Sequence, residues 1–438
     1  MGSDMVAALG AATANGMAFF AANCHGPALQ CPALRRIAGK SFALGETLST
    51  QFIQLPQVRQ TFSILGSQPP GTWGLSHGLN EHHLAAGCAN WDSRIPCSQP
   101  GLTGTDLVRL VLERCKSARQ GFEQLTGFIT RHGQGRFAQD AGGRDDHVFL
   151  IADPHEAFLV EAAGNSWASI ECHDVRAVSD AAMIRQDWQR IAPGLADHLI
   201  HQGWWRDDGS KLDFCGSLLK EGADAHAAQR RWGRATLLLE QQNGTIDQAY
   251  LRRLLADHYD GTVTEVDPLK PAGNLPLCQH ASRKLDRATG MSLIAGLSAD
   301  PEHVPLAWCA FGPPCASVYV PMFLDADLPA AVTRASAQPD LESLWWQTHF
   351  LLNAAGADAQ NWSRIRSNLA GLQARIDQET EDFLTENAAL RSSDRPGFER
   401  QAMLFMQNHA EQLELEYQRL QSRGQRVAVP SNIDGPWV

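Results

Sequence analysis

The spacing of apolar side chains divides this chain into strand-like and helix-like stretches. Residues 5–9 and 17–22 are apolar runs joined by Asn15-Gly16, a pair that accepts positive φ, so the chain is predicted to open on a hairpin with Ser3 at its mouth. Thr105 is placed to cap a helix over 106–115 that carries Leu107, Leu110, Val111 and Cys115 on one face. A second helix follows through Ala118, Phe122, Leu125 and Phe128/Ile129. Short apolar runs at 147–152, 157–161, 167–171 and 175–178, with turns at Asp153-Pro154 and Gly164-Asn165, predict an antiparallel meander. From 181 to about 262 the pattern is helical, and Thr245-Ile-Asp-Gln248 reads as a capping box. Strands return at 291–295, 306–310 and 317–323. Beyond Pro339 the chain is helical almost to its end: Trp362, Ile365, Leu369, Leu372 and Ile376 step by three and four, and Pro396-Gly397 interrupts the run before a last segment at 398–423. Two batches of strands, separated and flanked by helices, predict α+β layers around one core.

Composition narrows the function classes. The chain has 438 residues, 44% hydrophobic, and its 37 basic against 48 acidic side chains give a net charge of −11. Such a balance excludes wholesale disorder and argues against a nucleic acid partner, which would call for a basic face. No stretch approaches the roughly 18 uninterrupted apolar residues of a membrane span. Asp4 and the lack of Lys or Arg before Arg35 argue against a signal peptide, so a cytoplasmic location is expected. The ten cysteines include no Cys-x-x-Cys pair and read as reduced, mostly buried thiols. Cys24-His25, His77 with His82-His83, and Cys88 with Cys97 are rich in soft ligands. A zinc site needs about four of them converging, and adjacent residues such as His82 and His83 on a strand point to opposite faces. Neither a metal nor another cofactor is expected.

The common phosphate-cradle, dinucleotide, zinc-protease and nucleophile-elbow motifs are missing. The remaining candidate is Ser3. A hydroxyl at the start of a strand becomes a competent nucleophile if the Gly2-Ser3 bond is opened, because the freed α-amine, titrating near ~7.7–8.0, can act as its base.

Several segments in order add to this. Ser3-Asp4-Met-Val-Ala-Ala-Leu9, Ala14-Asn15-Gly16, Phe20-Ala-Ala-Asn23, Gly78-Leu-Asn80-Glu81-His82, Thr105-Asp106-Leu-Val-Arg-Leu110, His132-Gly-Gln-Gly135, Phe149-Leu-Ile-Ala-Asp153, Val160-Glu161-Ala-Ala-Gly164, Gly203-Trp-Trp205 and Ser317-Val-Tyr-Val-Pro-Met-Phe323 run along residues 3–325. Together they resemble the secernin branch of the cysteine dipeptidase family of N-terminal nucleophile hydrolases. The resemblance implies a four-layer αββα sandwich with the nucleophile at the end of a central strand, and amide hydrolysis through an acyl-enzyme. It implies a hydrolase-like domain over 1–330, with a helical insertion at about 181–262, and a helical extension over 331–438. Ser3 stands where the family has its cysteine, and Ala22, His25 and Asp180 replace the family's lysine, acid and asparagine. Ser3, Asn80 (as oxyanion donor), His25 and Asp180 are therefore the catalytic candidates, and Asn23, Asp4, Glu81 and His82 the substrate-binding ones. The expected partner is a small peptide or amide. The apolar spacing at 362–376 fits either a homodimer or packing on the core. Two alternatives stay open beside the hydrolase: an acyl-transfer or amide-forming enzyme on the same fold, and a retired enzyme kept as a binding or scaffold protein.

Overall fold

In the computed structural model, which describes residues 2–96, 100–135, 146–271, 276–282, 286–356 and 358–422, the chain opens on the expected hairpin. Strands β1 (Gly2–Ala8) and β2 (Ala18–Gly26) pair antiparallel, with Ser3 opposite Cys24 and Asp4 opposite Asn23. Gly16 takes φ 78° in the connection, where a side chain would be strained. The segment between this hairpin and the first helix carries strands that the apolar pattern did not signal: β3 (Ala33–Ile37), the small pair β4 (Thr47–Ser49) and β5 (Gln54–Pro56), then β6 (Ile64–Gln68), β7 (His77–Asn80) and β8 (Ala85–Trp91). Helices α1 (Gly104–Arg114) and α2 (Ala118–His132) follow. Thr103, not Thr105, caps α1, because Thr103 and Asp106 exchange side-chain bonds to each other's backbone N–H.

The meander forms as β9 (Asp146–Ala152), β10 (Ala157–Ala163) and β11 (Ser166–Cys172), but its fourth member departs. Strand β12 (Val175–Val178) leaves for the other sheet and pairs with β1, and the short β13 (Arg190–Ile191) takes the edge beside β11. Helices α3 (Leu195–His201), α4 (Phe214–Leu218), α5 (His226–Gln241) and α6 (Gln248–Leu255) occupy the expected helical region. Asp247 caps α6 by accepting from Tyr250 N, so the helix starts later than a Thr245 capping box would place it. Then come β14 (Ala288–Leu297), β15 (Leu306–Phe311) and β16 (Val320–Phe323), and α7 (Ala330–Thr333), α8 (Leu344–Ala355), α9 (Ala359–Ser393) and α10 (Arg395–Ser422). The break between the last two helices falls at Asp394, just ahead of Pro396.

Two antiparallel sheets result, in the orders β12-β1-β2-β14-β15-β16 and β13-β11-β10-β9-β8-β7-β6-β3. They face each other where β1 lies over β8 and β9. Helices α1 and α2 cover the outer face of the eight-stranded sheet, and α5 and α6 cover that of the six-stranded one, giving the αββα order and a helical C-terminal tail. Burial on both faces explains why these strands read as continuous apolar runs and not as alternation. Trp362, Ile365, Leu369, Leu372 and Ile376 of α9 are all buried within the chain, so that stripe is spent on internal packing. No described helix is long and apolar enough to cross a membrane.

Candidate active site

The site is built around the first turn of β1. Side chains alternate along a strand, and here the two faces meet different surroundings. Met5 points into the space between the sheets, against Gly87, and Ser3 shares that face. Asp4 points the other way, under α5. Cys24, paired with Ser3 across the hairpin, lies with it and contacts Ser76; burial pushes its thiol up.

The Asp4 face holds a closed network. Asp4 Oδ1 accepts from Arg231 Nε at 3.0 Å and Ser179 Oγ at 2.6 Å, and Asp4 Oδ2 lies 2.9 Å from His25 Nε2. Arg231, on α5, also reaches Asp180 Oδ2 at 3.0 Å, as does Arg287 Nη2 at 3.0 Å. Asp180 Oδ1 accepts the backbone N–H of Ser3 at 2.8 Å. Burial alone would raise the Asp4 carboxyl, but Arg231, His25 and Ser179 outweigh it and bring it down to about 2. Burial lowers the His25 ring in spite of Asp4, and its Nδ1 lies 3.1 Å from Thr289 Oγ1. Asp4, His25, Arg231 and Asp180 are each no more than 3% exposed, so two carboxylates and two guanidiniums, with Arg287 at the rim, balance inside the protein.

The residue before Ser3 is tightly held. Gly2 pairs with His25, and a Cβ on it would fall 1.7 Å from Arg287 Nη2 and 2.2 Å from Asp180 Oδ2. Only glycine fits that slot while the ion pair stands.

Of the candidates read from sequence, Ser3, Asp4, His25 and Asp180 come together. Asp180 is an acceptor at both oxygens, which removes it as an oxyanion donor. His25 and Asp4 lie on the strand face opposite the Ser3 side chain, so they position β1 and do not touch its hydroxyl. Asn80 is elsewhere and committed: its Nδ2 donates to Leu112 O at 2.9 Å and Cys115 O at 2.7 Å, and its Oδ1 accepts from His82 N and Leu84 N. It fastens the end of α1 to a turn and has no hydrogen left for an oxyanion. Asn23 likewise spends both amide hydrogens, on Leu255 O and Leu277 O. Glu81 accepts from Ser63 N, and His82 packs edge-on against Phe62. Met1 and Cys97 lie outside the described residues.

Sequence reasoning missed Arg231, Arg287 and Thr289. Arg231 looks like one more arginine on an amphipathic helix, and only the fold places it between two carboxylates. It also missed a second cluster, formed by His258, Cys278, His280 and Cys315, whose ligand atoms lie within 4.8 Å of one another. Its one local signal is the Cys-x-His spacing at 278–280, which puts both side chains on one face of an extended segment.

No family model matches the chain. Solved structures similar to it include a mutant of the conjugated bile acid hydrolase from Clostridium perfringens, at 12% identity over 70% of this chain and 89% of that one, with a TM-score of 0.42. Penicillin V acylase from Agrobacterium tumefaciens is 13% identical over 73% and 86%, with a TM-score of 0.38. The Caenorhabditis elegans ortholog of N-acylethanolamine-hydrolyzing acid amidase is 9% identical over 66% and 91%, with a TM-score of 0.31. Likenesses this distant say nothing about the chemistry of the present chain.

Proposed function

We propose that this protein hydrolyses amide bonds of small peptide-like substrates, using Ser3 as nucleophile after the Gly2-Ser3 bond has been opened. The observation that carries the proposal is the 2.8 Å bond from Ser3 N to Asp180 Oδ1. It holds the backbone nitrogen that would become the α-amine, on a residue whose side chain faces the space between the sheets. Asp180 favours the ammonium form of such an amine, and the guanidiniums of Arg231 and Arg287 offset that pull, keeping the amine within reach of neutrality as a base requires.

The amine would take the Ser3 hydroxyl proton as Oγ attacks the substrate carbonyl, then give it to the departing amine. An ester on Ser3 remains, and a water deprotonated by the same amine releases the acid and restores the hydroxyl. Departure of Gly2 would vacate the slot beside Arg287. The Nε of Arg287 is buried with no hydrogen-bond partner among the described residues, so it can donate to a substrate oxygen entering there.

The test is intact-mass analysis of purified protein together with turnover of a panel of dipeptides and acyl amides. A chain starting at Ser3, active in the wild type and inactive as Ser3→Ala with unchanged thermal stability, is expected. Equal turnover by wild type and Ser3→Ala would sink the reading. One observation favours a second reading, a non-catalytic binding protein: Gly2 is itself a buried strand residue in the slot. A chain that keeps Gly2 and turns over nothing would select it.

A further inference from the structure

We infer that His258, Cys278, His280 and Cys315 bind one structural zinc ion that clamps three loop segments together behind the Ser3 site. The four residues come from the turn after α6, the extended segment before β14, and the turn between β15 and β16. His258, Cys278 and His280 are buried and Cys315 half-buried.

The four ligand atoms converge, all within 4.8 Å of one another. His280 Nε2 lies 3.1 Å from His258 Nε2, 3.2 Å from Cys315 Sγ and 3.5 Å from Cys278 Sγ. One imidazole nitrogen carries either a single hydrogen or a single lone pair, so it cannot satisfy three such neighbours by hydrogen bonding. A tetrahedral zinc with bonds of about 2.3 Å to sulfur and 2.0–2.1 Å to nitrogen has N–N edges of about 3.4 Å and N–S edges of about 3.6 Å. The three separations from His280 need to open by only a few tenths of an ångström. Two thiolates and two imidazoles are a tetrahedral donor set that suits zinc, and with all four positions filled by protein the site is closed and structural. On binding, both thiols lose their protons to solvent, and two thiolates neutralise the dication, so the buried site carries no net charge.

The clamp leads to the Ser3 site through one residue. The backbone of Gln279, between two of the ligands, makes two bonds to Thr289: its N donates to Thr289 Oγ1 at 2.9 Å and its O accepts from Thr289 N at 3.0 Å. Thr289 Oγ1 is the group beside His25 Nδ1. Trp362 of α9 packs edge-on against His280 and covers the cluster from the tail.

The experiment measures zinc, iron and copper in the full-length chain purified without a metal-binding tag, after dialysis against a chelator. About one zinc per chain is expected, released by a mercurial thiol reagent, lost in Cys315→Ser and kept in Cys172→Ala. Protein made in cobalt-containing medium should show tetrahedral cobalt bands with thiolate charge transfer. This readout on wild-type protein stands even if Cys315→Ser fails to fold. Folded wild-type protein that holds less than about a tenth of a zinc per chain, carries iron or copper instead, or gives no thiolate–cobalt band overturns the inference.

Discussion

The cluster under β1 and the cluster at His258, Cys278, His280 and Cys315 both bury polar groups beside the same sheet, and they differ in what closes them. Around Asp4 and Asp180 the protein supplies both signs of charge, and each carboxylate oxygen faces a donor. Around His280 two imidazoles and two thiols converge, all four potential ligands of a metal. The first cluster is therefore closed by the chain's own charges, whereas the second is built to be closed by the inferred zinc. What separates them is the balance of donors and acceptors, not burial, which they share.

The comparison can be broken most sharply at Arg231. Arg231→Met leaves two buried carboxylates without their shared cation and should cost about 3–5 kcal/mol, read by denaturant unfolding. Adding Asp4→Asn should return part of that loss, and a strictly additive double variant would show that the two do not interact. Stripping the metal with a mercurial should leave the Asp4 network intact and lower stability by about 2–3 kcal/mol, the linkage expected for a ligand held at ~100 times its dissociation constant. Unchanged thermal unfolding after stripping would mean the clamp holds nothing. Gly2→Ala should push Arg287 off Asp180 and cost about 1–3 kcal/mol; no loss would mean the slot is loose.

The smallest effect is one of pH. Burial holds the His77 ring down at about 3, so it stays neutral in the fold while the unfolded chain takes up a proton near 6.5. Its stabilising contribution is thus fully present above pH ~6.5 and is lost as pH falls towards 3. Between pH 7.5 and 5.5, His77→Gln should lose about 1 kcal/mol less stability than wild type, as measured by urea melts at both pH values. Asp4, depressed to about 2, extends the same sign of dependence into stronger acid.

What could be read from sequence was what is local. The opening hairpin, the three strands of the meander and the tail helices follow from turn pairs and apolar spacing within a few residues. The strands from 33 to 91 escaped for different local reasons: Thr47–Ser49 and Gln54–Pro56 are three residues long and largely exposed, and Ile64–Gln68, His77–Asn80 and Ala85–Trp91 are each interrupted by glycine. Strand β12 was legible as a strand but not as one that changes sheets, since pairing partners are chosen by the whole fold. Of the residues gathered at the start of β1, Ser3, Asp4, His25 and Asp180 could be named as candidates from sequence. Their arrangement could not, because Arg231 lies 227 residues from Asp4 and Thr289 lies 264 from His25. Asn80 misled for the converse reason: an amide in a motif looks available until the carbonyls it already serves are seen.

Those separations also set a timetable. The companions of Ser3, namely Asp180, Arg231 and Thr289, are all made well after it. At about 5–20 residues per second, the strand that brings Thr289 beside His25 is not even synthesised until roughly 15–60 seconds after Ser3. The surroundings of Ser3 therefore assemble only after Thr289 has been made, and any chemistry that depends on them waits at least that long.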